Sequence, residues 1–361
     1  MFQSIYIFYG GFQKNAGGAF LHSKTLNEFL LDHNFSSKII TLDSLPIFVR
    51  YLPHLAFRLC LLIYPPYAFH VKGKITGYLY KTFFAGRADA NVFEDIYLAW
   101  ESSKPSLIIL HAVWSDNLHS FALSEKAQKK LKQFEEETIL TRSIETFTVS
   151  EKYRTYLVED HFDNLRMDDI GVIPLGRDLP EDMSLDEGNI ENKKTIVAMG
   201  LLEKRKNFRF LLRIFKEIHA IDHEYKLTIL GADGGELSYL TEYARKHRLP
   251  VVFLGKLSYR DALNELRKHH IYLHTSTKES FSYSLLEAKL LNCVTIALGE
   301  LHVPDQFIDI KLPTFDHQLW TKAVLEASGV SSDFQNNFSV DAMGQKTIMQ
   351  LRSGLNKNEK N

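Results

Sequence analysis

Short uncharged runs rich in β-branched and aromatic residues alternate along this chain with stretches that carry apolar residues at helical spacing. No other feature of the sequence limits the fold as much. Residues 4–9 (Ser-Ile-Tyr-Ile-Phe-Tyr) read as a buried strand, and 19–31 follow as a helix carrying Phe20, Leu21, Leu26, Phe29 and Leu30. Further strands are expected at 37–42, 106–111, 146–150 and 170–174, with a strand end at 89–94. A short helix is expected at 96–103, a charged one at 118–142 and another at 151–158. A second series places strands at 195–199, 226–230, 251–254, 271–274 and 294–297, separated by helices at 208–221, 237–247 and 259–268. Repeated alternation of this kind requires parallel sheets covered on both faces. Between the two series, residues 175–194 lose apolar periodicity and turn to Gly, Pro, Asp, Glu and Asn. The expected class is α/β: an N-terminal Rossmann-like domain over 1–175, a linker over 176–194 and a C-terminal Rossmann-like domain over 195–332. The carboxyl edges of the two sheets are expected to meet at a cleft.

The chain has 361 residues, 45% hydrophobic and 24% charged, which is ordinary globular composition with length for two domains. A formal net charge of −1 gives no global pull toward nucleic acid or an anionic membrane. Cys60 and Cys293 form neither a disulfide framework nor a metal spacing, which fits a reducing, cytoplasmic compartment. The first residues lack the basic start of a secretory signal. The longest uncharged apolar stretch, 59–69, holds two prolines and falls short of the roughly 18 residues a spanning helix needs.

Charge is distributed unevenly. Residues 44–88 contain Arg50, Arg58, Lys72, Lys74, Lys81 and Arg87, no acidic residue, and interleaved aromatics. Such a surface can dock on anionic lipid headgroups at the inner face of a membrane, or hold a lipid-linked or anionic acceptor. It also reads as an ordinary domain face whose apolar residues are core, or, more weakly, as a base-stacking surface. Its prolines are expected to prevent one clean amphipathic helix.

Chemistry concentrates at strand ends. Gly17 and Gly18, between the first strand and its helix, suit close approach of backbone to a phosphate, and equally a plain tight turn. His111 stands at the carboxyl end of a strand, where open α/β sheets bind ligands, and reads either as a sugar-bonding imidazole or as a structural one. Arg205 and Lys206 follow Gly200 after another strand; two cations there can neutralise a diphosphate or form an exposed basic turn. The stretch 277–288 places Glu279 in a loop, then Phe281, Ser282 and Tyr283 at a helix start, then Glu287 on that helix. Such a helix can offer its first turn to an anion, with Glu287 about 9 Å beyond the tip at 1.5 Å per residue. A solvated acidic pair is the plain alternative.

Taken together, the chain resembles the retaining GT-B glycosyltransferases of family 4. Gly17-Gly18-Ala19 with His22 is similar to the family's donor-phosphate loop. Leu110-His111-Ala112-Val113-Trp114 resembles its strand-end histidine segment, and Val172 through Asp178 its interdomain turn. Gly200 through Asn207 is similar to an Arg-Lys-Asn form of its diphosphate loop, and Val252-Phe253-Leu254-Gly255 to a strand near the base. Glu279 and Glu287 match its Glu-x7-Glu motif, and 337–351 its C-terminal helix, which returns to the N-domain, so 333–361 is expected to be that helix and a tail. The resemblance implies an acceptor-side N-domain, a donor-binding C-domain, and metal-independent transfer of a hexosyl group from a UDP- or GDP-sugar to a glycan or lipid-linked acceptor. Glu279 would hold the hexose, Glu287 the ribose and His111 the donor sugar. Arg205, Lys206, the Gly17–Gly18 amides and the helix start near Ser282 would take the diphosphate, with Gly200, Gly255, Phe281 and Tyr283 lining the donor site. No cofactor is implied, and the chain contains no Asp-x-Asp pair for a metal-bridged diphosphate. Two departures stand out: Ser282 where the family usually has glycine, and Leu201 where it commonly has arginine. They motivate a non-catalytic scaffold as one rival reading; a sugar-nucleotide epimerase is another.

Overall fold

The computed structural model describes residues 2–15, 17–116, 125–141, 144–183, 194–330 and 334–358. The chain divides into two compact units, Met1–Gly176 with Asn337–Asn361, and Arg177–Asn336. Part of the expected linker, 184–193, lies outside the described residues, as does the start of the helix expected at 118–142.

The first unit is built on six parallel strands: β1 (Ser4–Phe8), β2 (Ser36–Ile40), β3 (Ala90–Phe93), β4 (Ser106–Leu110), β5 (Glu145–Thr148) and β6 (Gly171–Val172). They lie in the order β2-β1-β3-β4-β5-β6. From β1 the chain first steps to one side and then to the other, so the topological switch point lies between β1 and β3. The helices are α1 (Gly18–Asp32), α2 (Leu52–Ile63), α3 (Ala68–Phe84), α4 (Glu125–Thr141) and α5 (Glu151–Tyr156), the last prolonged by one wider turn over Leu157–His161. Phe8 anchors an aromatic core, 5.1 Å from Phe93 and 4.9 Å from Trp100 between ring centres.

One expectation for this unit needs correction. Residues 96–103 form no helix. Asp95 takes the Tyr97 N–H at 3.0 Å and starts a turn, and the following residues, Ile96 to Trp100, are buried as loop. Gly73 and Gly77 of α3 let this loop lie against the helix, since a Cβ at either would overlap Tyr97. The prolines of 44–88 do break the segment, which forms two helices and not one. Pro53 stands in the first turn of α2, where no N–H is needed, and Pro65 falls in the short turn that separates α2 from α3. The result is a pair of packed helices.

The second unit repeats the plan with β7 (Thr195–Met199), β8 (Lys226–Leu230), β9 (Val251–Gly255), β10 (Ile271–His274), β11 (Val294–Leu298) and β12 (Ile310–Leu312). Their order is β12-β11-β10-β7-β8-β9, all parallel, with the switch point between β7 and β10. Its helices are α6 (Phe208–Ile221), α7 (Leu237–Lys246), α8 (Tyr259–Leu266), α9 (Tyr283–Leu290) and α10 (His317–Glu326). The edge strand β12 and helix α10 carry too little pattern to be foreseen. The chain then returns to the first unit as α11 (Val340–Asn358), which packs on α1 and buries Met343, Ile348 and Leu351. Gly176 N–H donates to Met343 Sδ at 3.2 Å.

The α1–α11 contact depends on Gly344, where a Cβ would overlap the Phe29 ring. Gly344→Val is therefore expected to destabilise the first unit by about 1–3 kcal/mol through overpacking, measured as a lower urea midpoint at unchanged slope.

Candidate active site

In the second unit the functional side chains gather outside the carboxyl ends of the strands that flank the switch point, where open α/β sheets place ligands. The loop after β7 carries Gly200, Arg205 and Lys206; the loop after β10 carries Glu279. Backbone ties fix one loop to the other: Thr277 N–H donates to Arg205 O at 3.0 Å, and Thr275 Oγ1 to Lys206 O at 2.9 Å. Lys206 Nζ donates to Glu279 Oε1, and Arg205 lies 3.4 Å from the same oxygen while also donating to Lys278 O. His274 Nε2 stands 3.5 Å from Glu279 Oε1. Burial alone would raise the Glu279 carboxyl, but Lys206, His274 and Arg205 outweigh it and hold the group well below the usual carboxylate range. Burial in turn lowers His274 and favours the neutral imidazole, against the pull of Glu279.

Glycines make room for this arrangement. The Lys206 stem packs beside the Cα of Gly200, and Gly231 at φ +150° lies so close to Gly200 O that any side chain there would collide with backbone.

Glu287 has a different environment. It lies on α9, is buried, and accepts from Arg177 Nε at 3.0 Å. The Arg177 guanidinium stacks 3.7 Å over the Tyr259 ring. Here burial outweighs Arg177, and the Glu287 carboxyl is raised. The two motif carboxylates are thus pushed in opposite directions.

Phe281 is buried edge-on against Phe307, with ring centres 5.1 Å apart, and Tyr283 opens α9. Ser282 has φ 74° and ψ 91°, a backbone conformation natural to glycine, and its Oγ accepts from Leu285 N–H at 3.4 Å as the helix cap. The serine therefore takes a backbone path that glycine adopts readily.

Gly255 ends β9 at the edge of the sheet, three strands from β10, and is not brought to Glu279. In the first unit, Gly17 and Gly18 stand at the start of α1, and His111 follows β4. Glu94, just past β3, takes His22 Nδ1 at 2.9 Å, Ser23 Oγ at 2.9 Å and His111 Nε2 at 2.6 Å. Burial raises the Glu94 carboxyl, but His22 and His111 bring it down to about 2. A carboxylate only accepts, so the nitrogens facing it carry protons. His111 is lowered by burial, against Glu94, and is neutral near pH 7. His22, Glu94 and His111 could also be read as a metal set, their ligand atoms all within 4.8 Å. Their nearest spacings of 2.6–3.0 Å suit hydrogen bonds. Ligands around a tetrahedral zinc, with bonds of about 2.0–2.1 Å, stand roughly 3.3 Å apart. The set therefore fits a hydrogen-bond network better than a metal site.

Sequence reasoning missed His274, Arg177 and Glu94. His274 carried the same strand-end signal as His111. Arg177 and Glu94 carried none, since their partners are distant in sequence.

Residues 181–319 match the family model described as Glycosyl transferases group 1. One subunit of the human phosphatidylinositol N-acetylglucosaminyltransferase is 31% identical over 121 residues, 33% of this chain; the match spans a quarter of that protein's length. Sucrose-phosphate synthase from Thermosynechococcus elongatus superposes at a TM-score of 0.73 with 15% identity, covering 97% of this chain and 98% of its own. An α,α-trehalose-phosphate synthase (UDP-forming) from Burkholderia vietnamiensis does so at 0.67 with 11% identity, covering 98% and 97%.

Two predictions follow from the geometry. The folded Glu279 carboxyl is depressed, so its stabilisation is complete above the unfolded value of about 4.3 and is lost as pH falls through the folded value. Glu279→Gln should be less stable than the parent at pH 7, with the gap closing in urea melts below about pH 4. Ser282→Gly should raise stability by ~0.5–1 kcal/mol, because relief at φ 74° exceeds the loss of a long cap bond, whereas Ser282→Ala should lower it by ~1 kcal/mol. Over residues 181–319 the chain is thus similar to the glycosyl transferases of group 1, and its two six-stranded parallel sheets have the GT-B fold.

Proposed function

We propose that the protein is a retaining glycosyltransferase of the family 4 type, which moves a hexosyl group from a nucleotide diphospho-sugar to a hydroxyl of a glycan or lipid-linked acceptor. The observation that carries this reading is an anionic Glu279, its side chain 13% exposed, held between Lys206 and Arg205 at the switch point of the second sheet. In the reaction the bond from the anomeric carbon to the phosphate oxygen breaks and its electron pair leaves with the diphosphate. Lys206 and Arg205 neutralise the charge that develops there, the kind of preorganised stabilisation that dominates many catalysed transfers. Their release from Glu279 leaves that carboxylate to hold sugar hydroxyls and to steady positive charge at the anomeric carbon. The acceptor oxygen attacks the face the phosphate leaves, and its proton passes to the departing phosphate oxygen. Ribose hydroxyls would compete with Arg177 for Glu287, and the neutral His111 would bond a donor-sugar hydroxyl.

The human relative's name joins phosphatidylinositol with N-acetylglucosaminyl transfer, which supports including lipid acceptors in assays. Surface polysaccharide or glycoconjugate assembly at a cytoplasmic membrane face is the setting we propose, with membrane contact through 44–88.

A thermal-shift screen against UDP- and GDP-hexoses, followed by transfer assays, tests the reading. A cognate donor at 100 times its Kd should add about 2.7 kcal/mol of apparent stability. Glu279→Ala should lower the transfer rate ~10²–10³-fold, and the product should keep the donor's anomeric configuration by NMR. A protein that binds no donor is a scaffold; one that releases an epimerised free sugar without acceptor is an epimerase. Either result overturns the proposal.

A further inference from the structure

Helix α2 is placed unusually for an apolar helix. Its sequence, Leu-Pro-His-Leu-Ala-Phe-Arg-Leu-Cys-Leu-Leu-Ile, has one charge, yet Pro53 is its only fully buried residue. Leu52, Leu55, Leu59, Leu62 and Ile63 are all exposed, the last two at 83% and 81%. They recur at three- and four-residue spacing and so form one stripe along the helix. Phe48, 76% exposed, stands one turn before it. The other side of α2 packs on α3. A contiguous apolar stripe of this size on a surface marks an interaction site.

The charge around the stripe selects its occupant. Residues 44–88 carry six Lys and Arg side chains and no carboxylate, and Arg58, Lys74, Lys81 and Arg87 are exposed. A second copy of the chain would bring the same cations face to face, because a two-fold contact sets each patch against itself. An anionic lipid surface complements both the stripe and the cations. The exposed Tyr51, Tyr64 and Tyr78 suit the boundary between headgroups and acyl chains. Among the described residues no helix is long and apolar enough to cross a membrane. A helix of 12 residues reaches about 18 Å and suits lying in the plane of the interface.

We propose that α2 is an in-plane membrane anchor, inserting Leu55, Leu59, Leu62 and Ile63 into an anionic leaflet while Arg58 and the cations of α3 meet its headgroups. The proposal deepens the membrane side of the function above. It is tested without donor or acceptor, so its failure leaves the transfer reading intact.

The test is flotation of the whole protein with vesicles of phosphatidylcholine alone or with 30% phosphatidylglycerol (about one lipid in three anionic, enough to set a negative surface potential). The parent should bind the anionic vesicles at least about tenfold more tightly than the neutral ones, as electrostatic attraction to anionic lipid requires. The double variant Leu59→Glu with Leu62→Glu should lose that binding at low and high salt, with unchanged melting temperature because both sites are exposed. Arg58→Glu should weaken binding several-fold at low salt and little at high salt, where screening already removes its contribution. Equal or absent binding to both vesicle types overturns the proposal. So does a concentration-dependent dimer, by analytical ultracentrifugation, that the double variant abolishes.

Discussion

The contact of Glu279 with Lys206, reinforced by Arg205 and His274, is the interaction around which the second unit is arranged. A carboxylate taken out of water costs several kcal/mol unless cations and donors meet it. Supplying them forces two loops together. The Lys206 stem lies along Gly200, and Gly200 can take its path only if Gly231 lacks a side chain. Thr275 and Thr277 then bond the backbone of the residues that carry the charges. A buried ion cluster is weak evidence of stability on its own, since apolar residues of similar volume often fold as well. Its place at the switch point gives it a use under the proposed function: a cation pair, Lys206 mostly buried and Arg205 partly exposed, where a diphosphate would bind.

The contrast between the two motif carboxylates strengthens this view. Glu279 is held anionic by three cationic or polarisable neighbours, whereas Glu287 has one, Arg177, and burial prevails. Environments that push paired titratable groups apart separate their chemical roles. Glu279 suits stabilising positive charge. Glu287 suits hydrogen bonding to neutral hydroxyls, in exchange for the bond it now makes with Arg177.

Much of the fold was legible because strands buried on both faces read as uncharged runs and need no knowledge of their partners. Glu279, Arg205 and Lys206 were legible for a related reason, each sitting just past a strand end. What stayed hidden depended on tertiary neighbours. Residues 96–103 look helical, but α3 glycines draw their backbone into a buried loop. Arg177 looked like linker, and only the folded chain sets it on Glu287 and Tyr259. Ser282 read as a departure from a glycine pattern. Its backbone nonetheless takes a conformation natural to glycine.

The first unit repeats the second's solution with different residues. In each, a carboxylate beyond a strand that flanks the switch point faces a strand-end imidazole: Glu279 lies 3.5 Å from His274, and Glu94 bonds His111 at 2.6 Å. In the first unit the partners are imidazoles and a hydroxyl, not Lys and Arg. Because Glu94 stays ionised, it fixes His111 with its proton on Nε2, and burial keeps that ring neutral. In a neutral ring with its proton on Nε2, Nδ1 is an acceptor, the polarity that pairs with a hydroxyl and not with the lone pairs of a phosphate. The cations lie with the unit whose loop resembles a diphosphate site, and the oriented neutral imidazole lies with the other.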